Sequence, residues 1–527
     1  MAHKARRAGK RERKKTFTVL IAKIATDHHA LSLLARSGDP RPRLEFEAIL
    51  YALLDSTGRP SPAGDLFSGF IQWCDSATQL PDVLLQALVD RKRSVEIQYR
   101  IRMEFVASMG LKRMKEAAKA QWLSENAHVV VLDRLREAYP EYHQWIAETP
   151  EIEQQWGHRI RKGKKADKRH KRHPLVLEDP SRLRYVVKED ESVVFRDKET
   201  GDIIMMVIRD FCKDPRALKF VDCNAAESVD LRKSVRLEDP GKLVLLGYTA
   251  GSRSHPLFDW ARNLRSKKHT PEFLKDLDFR LSSAFALFWN LLQVRVPKEV
   301  LAPFESYLAD NSMCRMDGNS GKSTDSRGIY MVDLGDKYIE FNDAELAPPS
   351  GVAGCNYARA IHREKQAQKW AFSWTTSRRK GMTGGSFYEA VYGIKVLQAP
   401  NTMVAWMPEH DHGTSLLDWS PNRKDDIPPF AQTGIALVTS TRLASAWEKY
   451  RNTQDFAQAE KEWPASSYHP SASAASTEKQ QSTSSTPAQS LAPWHCTLSR
   501  AAILHVARAT GGRQIVTRAR REPSVEG

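Results

Sequence analysis

Apolar residues recur at three- and four-residue spacing over 43–56 (RLEFEAILYALLDS), 82–108 and 126–147; Leu84, Leu85, Leu88, Ile97, Ile101 and Phe105 form one such series. This period predicts amphipathic helices that pack through their apolar stripes. Beyond residue 184 the period changes. RYVV at 184–187, SVVF at 192–195 and DIIMMVI at 202–208 are β-branched runs, and Lys198-Glu199-Thr200-Gly201 supplies a turn glycine between the last two. A long helical pattern returns at 271–293 through Phe273, Leu274, Leu277, Leu281, Phe285 and Phe288. From 329 to 440 the chain is again strand-like, in GIYMVDL, KYIEF, KWAFSW, SFYEAVYGIKVLQ, TMVAW and GIALVTS. The pattern predicts an α+β chain, with a helical N-terminal region and a strand-rich C-terminal domain. Its expected parts are a basic, largely disordered arm (1–40), a helical region (41–157), a basic linker (158–175), the strand-rich domain (176–452) and a low-complexity, mostly disordered tail (453–527).

Composition narrows the picture. Hydrophobic residues make up 41% of the 527, enough for a large core, which excludes a wholly disordered chain. The six cysteines contain no CxxC pair, which argues against a disulfide framework or a cysteine-built zinc site and suits a reducing compartment. No apolar run is long enough to span a membrane, and residues 1–15 have no apolar stretch of the secretory type. The formal charge of +16 is concentrated in two segments. Residues 1–15 carry a net +7 and residues 159–173 a net +8. Such runs suit nuclear import or contact with the phosphates of DNA or RNA, and the bland alternative is a solubilising tail and linker. They favour a nuclear location, with the cytoplasm as the other. No zinc-finger, RNP or homeodomain-like signature accompanies them, so sequence-specific readout is not supported.

The stretch 355–440 carries the chemistry. His362 and Glu364 stand two apart in a strand-like segment, where residues i and i+2 share a face. Fifty residues on, after Gly384-Gly385, Pro400-Asn401 and TMVAW, comes His410-Asp411-His412-Gly413-Thr414. A His-x-carboxylate followed by a distal His is the donor set that holds non-haem Fe(II) on one face of an octahedron and leaves the other face open.

The runs NYARAIHREKQ, SWTTSR, GGSFYEAVYGI, NT and HGTS, in this order, resemble the Fe(II)/2-oxoglutarate-dependent dioxygenases, and among them large fungal oxygenase-like proteins. The likeness is strong over 329–450 and extends weakly back to 184. It implies a double-stranded β-helix (jelly-roll) oxygenase-like domain. It implies that His362, Glu364 and His412 bind Fe(II), that 2-oxoglutarate is the co-substrate and that O2 takes the remaining position. Two features depart from the family. The carboxylate is Glu where Asp is commoner, and no cation stands in the late strand, where Thr433 is found. Arg423, Arg378 and Arg359 are the candidates for the carboxylate of 2-oxoglutarate, since a planar guanidinium meets a carboxylate bidentately. Tyr357 and Asn356 are weaker candidates.

Simpler explanations stand beside these. His410 is a rival distal ligand. Gly384 and Gly385 can be explained by a tight turn or bulge, and Trp370, Trp374 and Trp406 by barrel packing. Gly321-Lys322-Ser323-Thr324 imitates the end of a phosphate-binding loop, but Met316 occupies the place of its first glycine, so it reads as a polar loop. Two functional readings follow. The first is a dioxygenase hydroxylating a C–H bond, with a nucleic-acid base as a candidate substrate. The second is a catalytically inactive β-helix that serves as a scaffold or nucleic-acid-associated binding protein.

Overall fold

The computed structural model describes residues 2–58, 65–162, 173–252, 256–319, 325–419 and 431–453. The first four helices are Ala2–Ala25, His28–Ala35, Pro40–Asp55 and Leu66–Ser76. Three of them start at an aspartate (Asp27, Asp39, Asp65) whose carboxylate accepts from backbone N–H groups of the first turn, satisfying donors that a helix start leaves open. With the first turns of the helix Asp82–Met109 they enclose a core of Phe17, Leu20, Ile24, Leu34, Phe46, Leu50 and Phe70. The expectation of a disordered arm over 1–40 is thereby revised. Phe17, Leu20 and Ile24 follow the charge run at helical spacing, and all three are completely buried.

Nine strands form a large sheet in the spatial order His128–Leu132, Val193–Asp197, Ile203–Ile208, Thr402–Trp406, Ala371–Arg378, Gln432–Leu437, Ser350–Cys355, Lys242–Gly251 and Pro256–Trp260. Five more form a small sheet in the order Arg359–His362, His412–Thr414, Phe387–Glu389, Ile394–Val396 and Tyr185–Val187. The period of two assigns the faces. Met205, Val207, Val404 and Trp406 turn toward Phe387, Ile394 and Val396 of the small sheet. Their neighbours Met206, Ile208, Met403 and Ala405 turn toward the helices Pro271–Arg295 and Pro215–Leu231. At the central strands both faces of the large sheet are covered, which is why IIMMVI is an unbroken buried run.

Two expectations change here. Residues 126–147 do not form a helix; Val129, Val130 and Val131 belong to a strand paired in parallel with Val193–Asp197, and Trp145–Ala147 pairs with Leu175–Leu177. β-branched residues fit the pleat better than the helix turn. Nor does the helical region end as one unit at 157. Phe105, Met109 and Leu123 pack into the core of the large sheet, so the boundary between the two cores falls within the helix Asp82–Met109. The basic run 159–173 begins on the helix Pro150–Lys162 and the chain is described again from His173; 163–172, the GKST loop and the tail from 454 lie outside the described residues.

Candidate metal centre

The strands Arg359–His362 and His412–Thr414 pair antiparallel, with His362 opposite His412 and Arg359 opposite Thr414. The first strand spends one more residue than its partner between those pairs, so a bulge lies beside the site. Gly413 is required there: a β-carbon would stand 2.9 Å from both the Arg359 carbonyl oxygen and Ile361 Cδ1. Paired residues share a face, and the two imidazoles stand with centroids 4.3 Å apart. Glu364 falls beyond the strand end, and its backbone N–H donates to the Pro408 carbonyl at 2.8 Å. Between them Arg363 turns outward and clasps Asp411 at 2.5 and 2.9 Å, tying the segment that carries Glu364 to the one that carries His412.

One donor atom each from His362, Glu364 and His412 lies within 4.8 Å of the others. Each imidazole Nδ1 is 2.8 Å from a backbone carbonyl oxygen two residues earlier, Ala360 for His362 and His410 for His412. A carbonyl only accepts, so each Nδ1 carries its hydrogen and the Nε2 atoms are the ones left to face a metal. Nε2 of His362 is 3.5 Å from Glu364 Oε1. Burial, and then the charge of His362, push the His412 pKa down to about 3. Burial alone would raise the Glu364 pKa, but the hydrogen bond from His362 and the charges of Arg359 and His362 hold it well below the usual carboxylate range. At neutral pH the set therefore presents a neutral imidazole at 412 and an ionised carboxylate at 364, the forms that coordinate a cation. The donor set fits a divalent ion such as Fe(II).

The other expected residues divide. Arg359 adjoins the triad and donates to Glu364 Oε1. Tyr357 stands one step away, donating to Asp239 Oδ2 at 2.7 Å, and Arg359 Nε lies 3.9 Å from the same oxygen. Arg378 is not brought to the triad: its guanidinium donates to Gln432 and to the carbonyls of Met382 and Gly384, and so holds the glycine turn. Asn356 has a local role too, its Oδ1 accepting from the N–H groups of Ala431 and Gln432. Arg423 lies outside the described residues. His410 is set apart from the triad, with Nδ1 2.8 Å from Oε1 of the fully buried Glu389. Sequence reasoning missed Arg236, whose guanidinium is 3.8 Å from Glu364 Oε1; it arrives from a loop more than a hundred residues upstream, with no local signal.

The chain matches no protein-family profile and no curated protein. Among solved structures it is similar to NgTET1 in complex with 5mC DNA (10% identity, TM-score 0.30, 49% of this chain and 80% of that one). It is also similar to OsALKBH1 (10% identity, TM-score 0.22, 45% and 97%) and to IDO from Bacillus thuringiensis (10% identity, TM-score 0.22, 45% and 90%). At scores this low the shared shape is partial, and the functional reading stands on the donor atoms themselves.

Proposed function

We propose that this chain is a non-haem Fe(II)/2-oxoglutarate-dependent dioxygenase that hydroxylates a C–H bond, and that its two stacked sheets are the double-stranded β-helix of that class. One observation carries the reading: three donor atoms converge, and both imidazoles have their second nitrogen committed to backbone carbonyls. His362, Glu364 and His412 would hold the iron. When bound, iron and 2-oxoglutarate together supply the oxidising power that places an oxygen from O2 on carbon, with release of succinate and CO2. The protein's part is positional. The Arg363–Asp411 clasp fixes the two ligand segments, and the rings of Phe387 and Trp406, centred 6.0 and 5.9 Å from His412, cover the buried His412 imidazole. Arg359 and Arg236 are the cations that a dianionic keto acid would meet beside the metal.

A nucleic-acid base is the substrate we favour. On either side of the basic run 159–173 the chain is tied to the segments that carry His412 and His362. At one end Trp156 donates to the Leu417 carbonyl at 2.8 Å. At the other His173 stacks on His143, whose N–H donates to the Ile361 carbonyl. Tyr142, 46% exposed and beneath the Arg363 guanidinium, offers a ring on which a base could stack. The alternative, a silent sheet scaffold on nucleic acid, is favoured by the Arg359 contact with Glu364, which occupies a ligand oxygen.

The test is succinate release from 2-oxoglutarate with Fe(II) and ascorbate, with and without single- and double-stranded oligonucleotides carrying methylated bases. Turnover above that of the His362→Ala/His412→Ala double variant is expected. Turnover equal to that variant, with no binding of metal or keto acid, would establish the scaffold.

A further inference from the structure

The helix Asp82–Met109 buries one side in the helical core and leaves on the other an apolar stripe that the proposed chemistry does not use. Leu85, Val89, Tyr99 and Met103 are 45, 46, 54 and 47% exposed. With the exposed Lys92 and Glu96 they follow the spacing 4-3-4-3-4, the seam of a coiled coil. The sequence of the stripe is also symmetric about Ser94. Leu85 and Met103 stand nine residues to either side, Val89 and Tyr99 five, Lys92 and Glu96 two.

We propose that this stripe is the interface of a homodimer, in which the helices of two copies run antiparallel about a two-fold axis at the level of Ser94. In antiparallel seams the two kinds of seam position face each other, so Leu85 meets Met103 of the second copy, Val89 meets Tyr99, and Lys92 meets Glu96. The two-fold makes each contact twice, as an isologous interface requires. Opposite charges face each other at the centre and apolar pairs flank them. A parallel pairing would set Lys92 on Lys92 and Glu96 on Glu96, so the charges themselves select the antiparallel arrangement. The seam runs about 27 Å. That is a small interface, on the order of 1,000 Å² in all, the size of a weak or transient pairing.

The test uses the full chain in sedimentation-equilibrium and light-scattering measurements across concentration. The wild type is expected to pass from monomer to dimer. Lys92→Glu alone and Glu96→Lys alone each set like charges in apposition twice per dimer, and each is expected to weaken it about tenfold or more. The double reversal Lys92→Glu/Glu96→Lys restores opposite charges and is expected to recover the dimer. Both positions are exposed, and circular dichroism of each variant checks the fold. As an orthogonal reading, Val89→Cys/Tyr99→Cys is expected to yield an oxidised covalent dimer that Tyr99→Cys alone does not. A wild type that stays monomeric overturns the proposal and leaves the stripe to a different protein. A dimer indifferent to the single reversals, or not recovered by the double one, overturns it as well.

Discussion

The two faces of the small sheet bury polar groups in opposite ways. On its outer face Tyr388 and Lys395 stand in register. Lys395 Nζ lies 2.9 Å from Glu148 and 2.8 Å from Glu178, while Ser415 donates to Glu148 and Tyr388 to Glu178. Each carboxylate there has its donors. On the inner face His362, His412 and Glu364 bring one donor atom each together, and Arg359 meets one carboxylate oxygen of Glu364 while Arg236 stands 3.8 Å away. One face pairs each carboxylate with a lysine and a hydroxyl, and the other gathers two imidazoles and a carboxylate, the donor types that hold a metal. The comparison teaches that burial of charge is not in itself a sign of function; convergence of metal-ligand atoms is the more telling feature.

That contrast can be broken by substitution. Lys395→Met strands two buried carboxylates and is expected to destabilise the fold by about 3–5 kcal/mol in urea unfolding, with the triad's geometry untouched until the protein unfolds. Glu364→Ala does the reverse. Metal binding is expected to be lost, while the metal-free protein changes by about 1 kcal/mol or less, because the side chain is partly exposed and Arg359 keeps Asp239 nearby. Acid sharpens the comparison. The unfolded chain protonates His412 near 6.5, whereas the folded chain resists until about 3. Its contribution to stability is therefore complete above pH 6.5 and declines as the pH falls from there toward 3, where only the unfolded state has taken up the proton. His412→Gln is expected to flatten that part of the pH–stability curve, measured by thermal melting of the metal-free protein. The smallest expected effect is that of Arg363→Gln. Its guanidinium is 63% exposed, so the stability cost is about 1 kcal/mol, but metal affinity should fall because the two ligand segments lose their clasp.

Much of the site could be read in the sequence, because His362 and His412 lie on short strands whose alternation and turn residues are local signals. Strand alternation accounts for Glu364 only in part: it lies past the strand end, and the bond from its own N–H to Pro408 places it. Other features have no local signal. Arg236 reaches the triad, and Lys395 reaches Glu148 and Glu178, through contacts far apart in the chain. Arg378 and Asn356 looked like anion binders because their side chains suit that role, yet backbone groups of neighbouring turns claim them. In the helical region Phe17, Leu20 and Ile24, just past the charge run over 1–15, decide that this segment folds. Over 128–131 the β-branched composition outweighed the three- and four-residue spacing.

The central claim is that three side chains form one divalent-metal site, and calorimetric titration of the metal-free chain with Fe(II) or Mn(II) under anaerobic conditions tests it most directly. One ion per chain is predicted, with binding abolished by each of His362→Ala, Glu364→Ala and His412→Ala. No stoichiometric binding, or binding that survives these substitutions, would contradict the account.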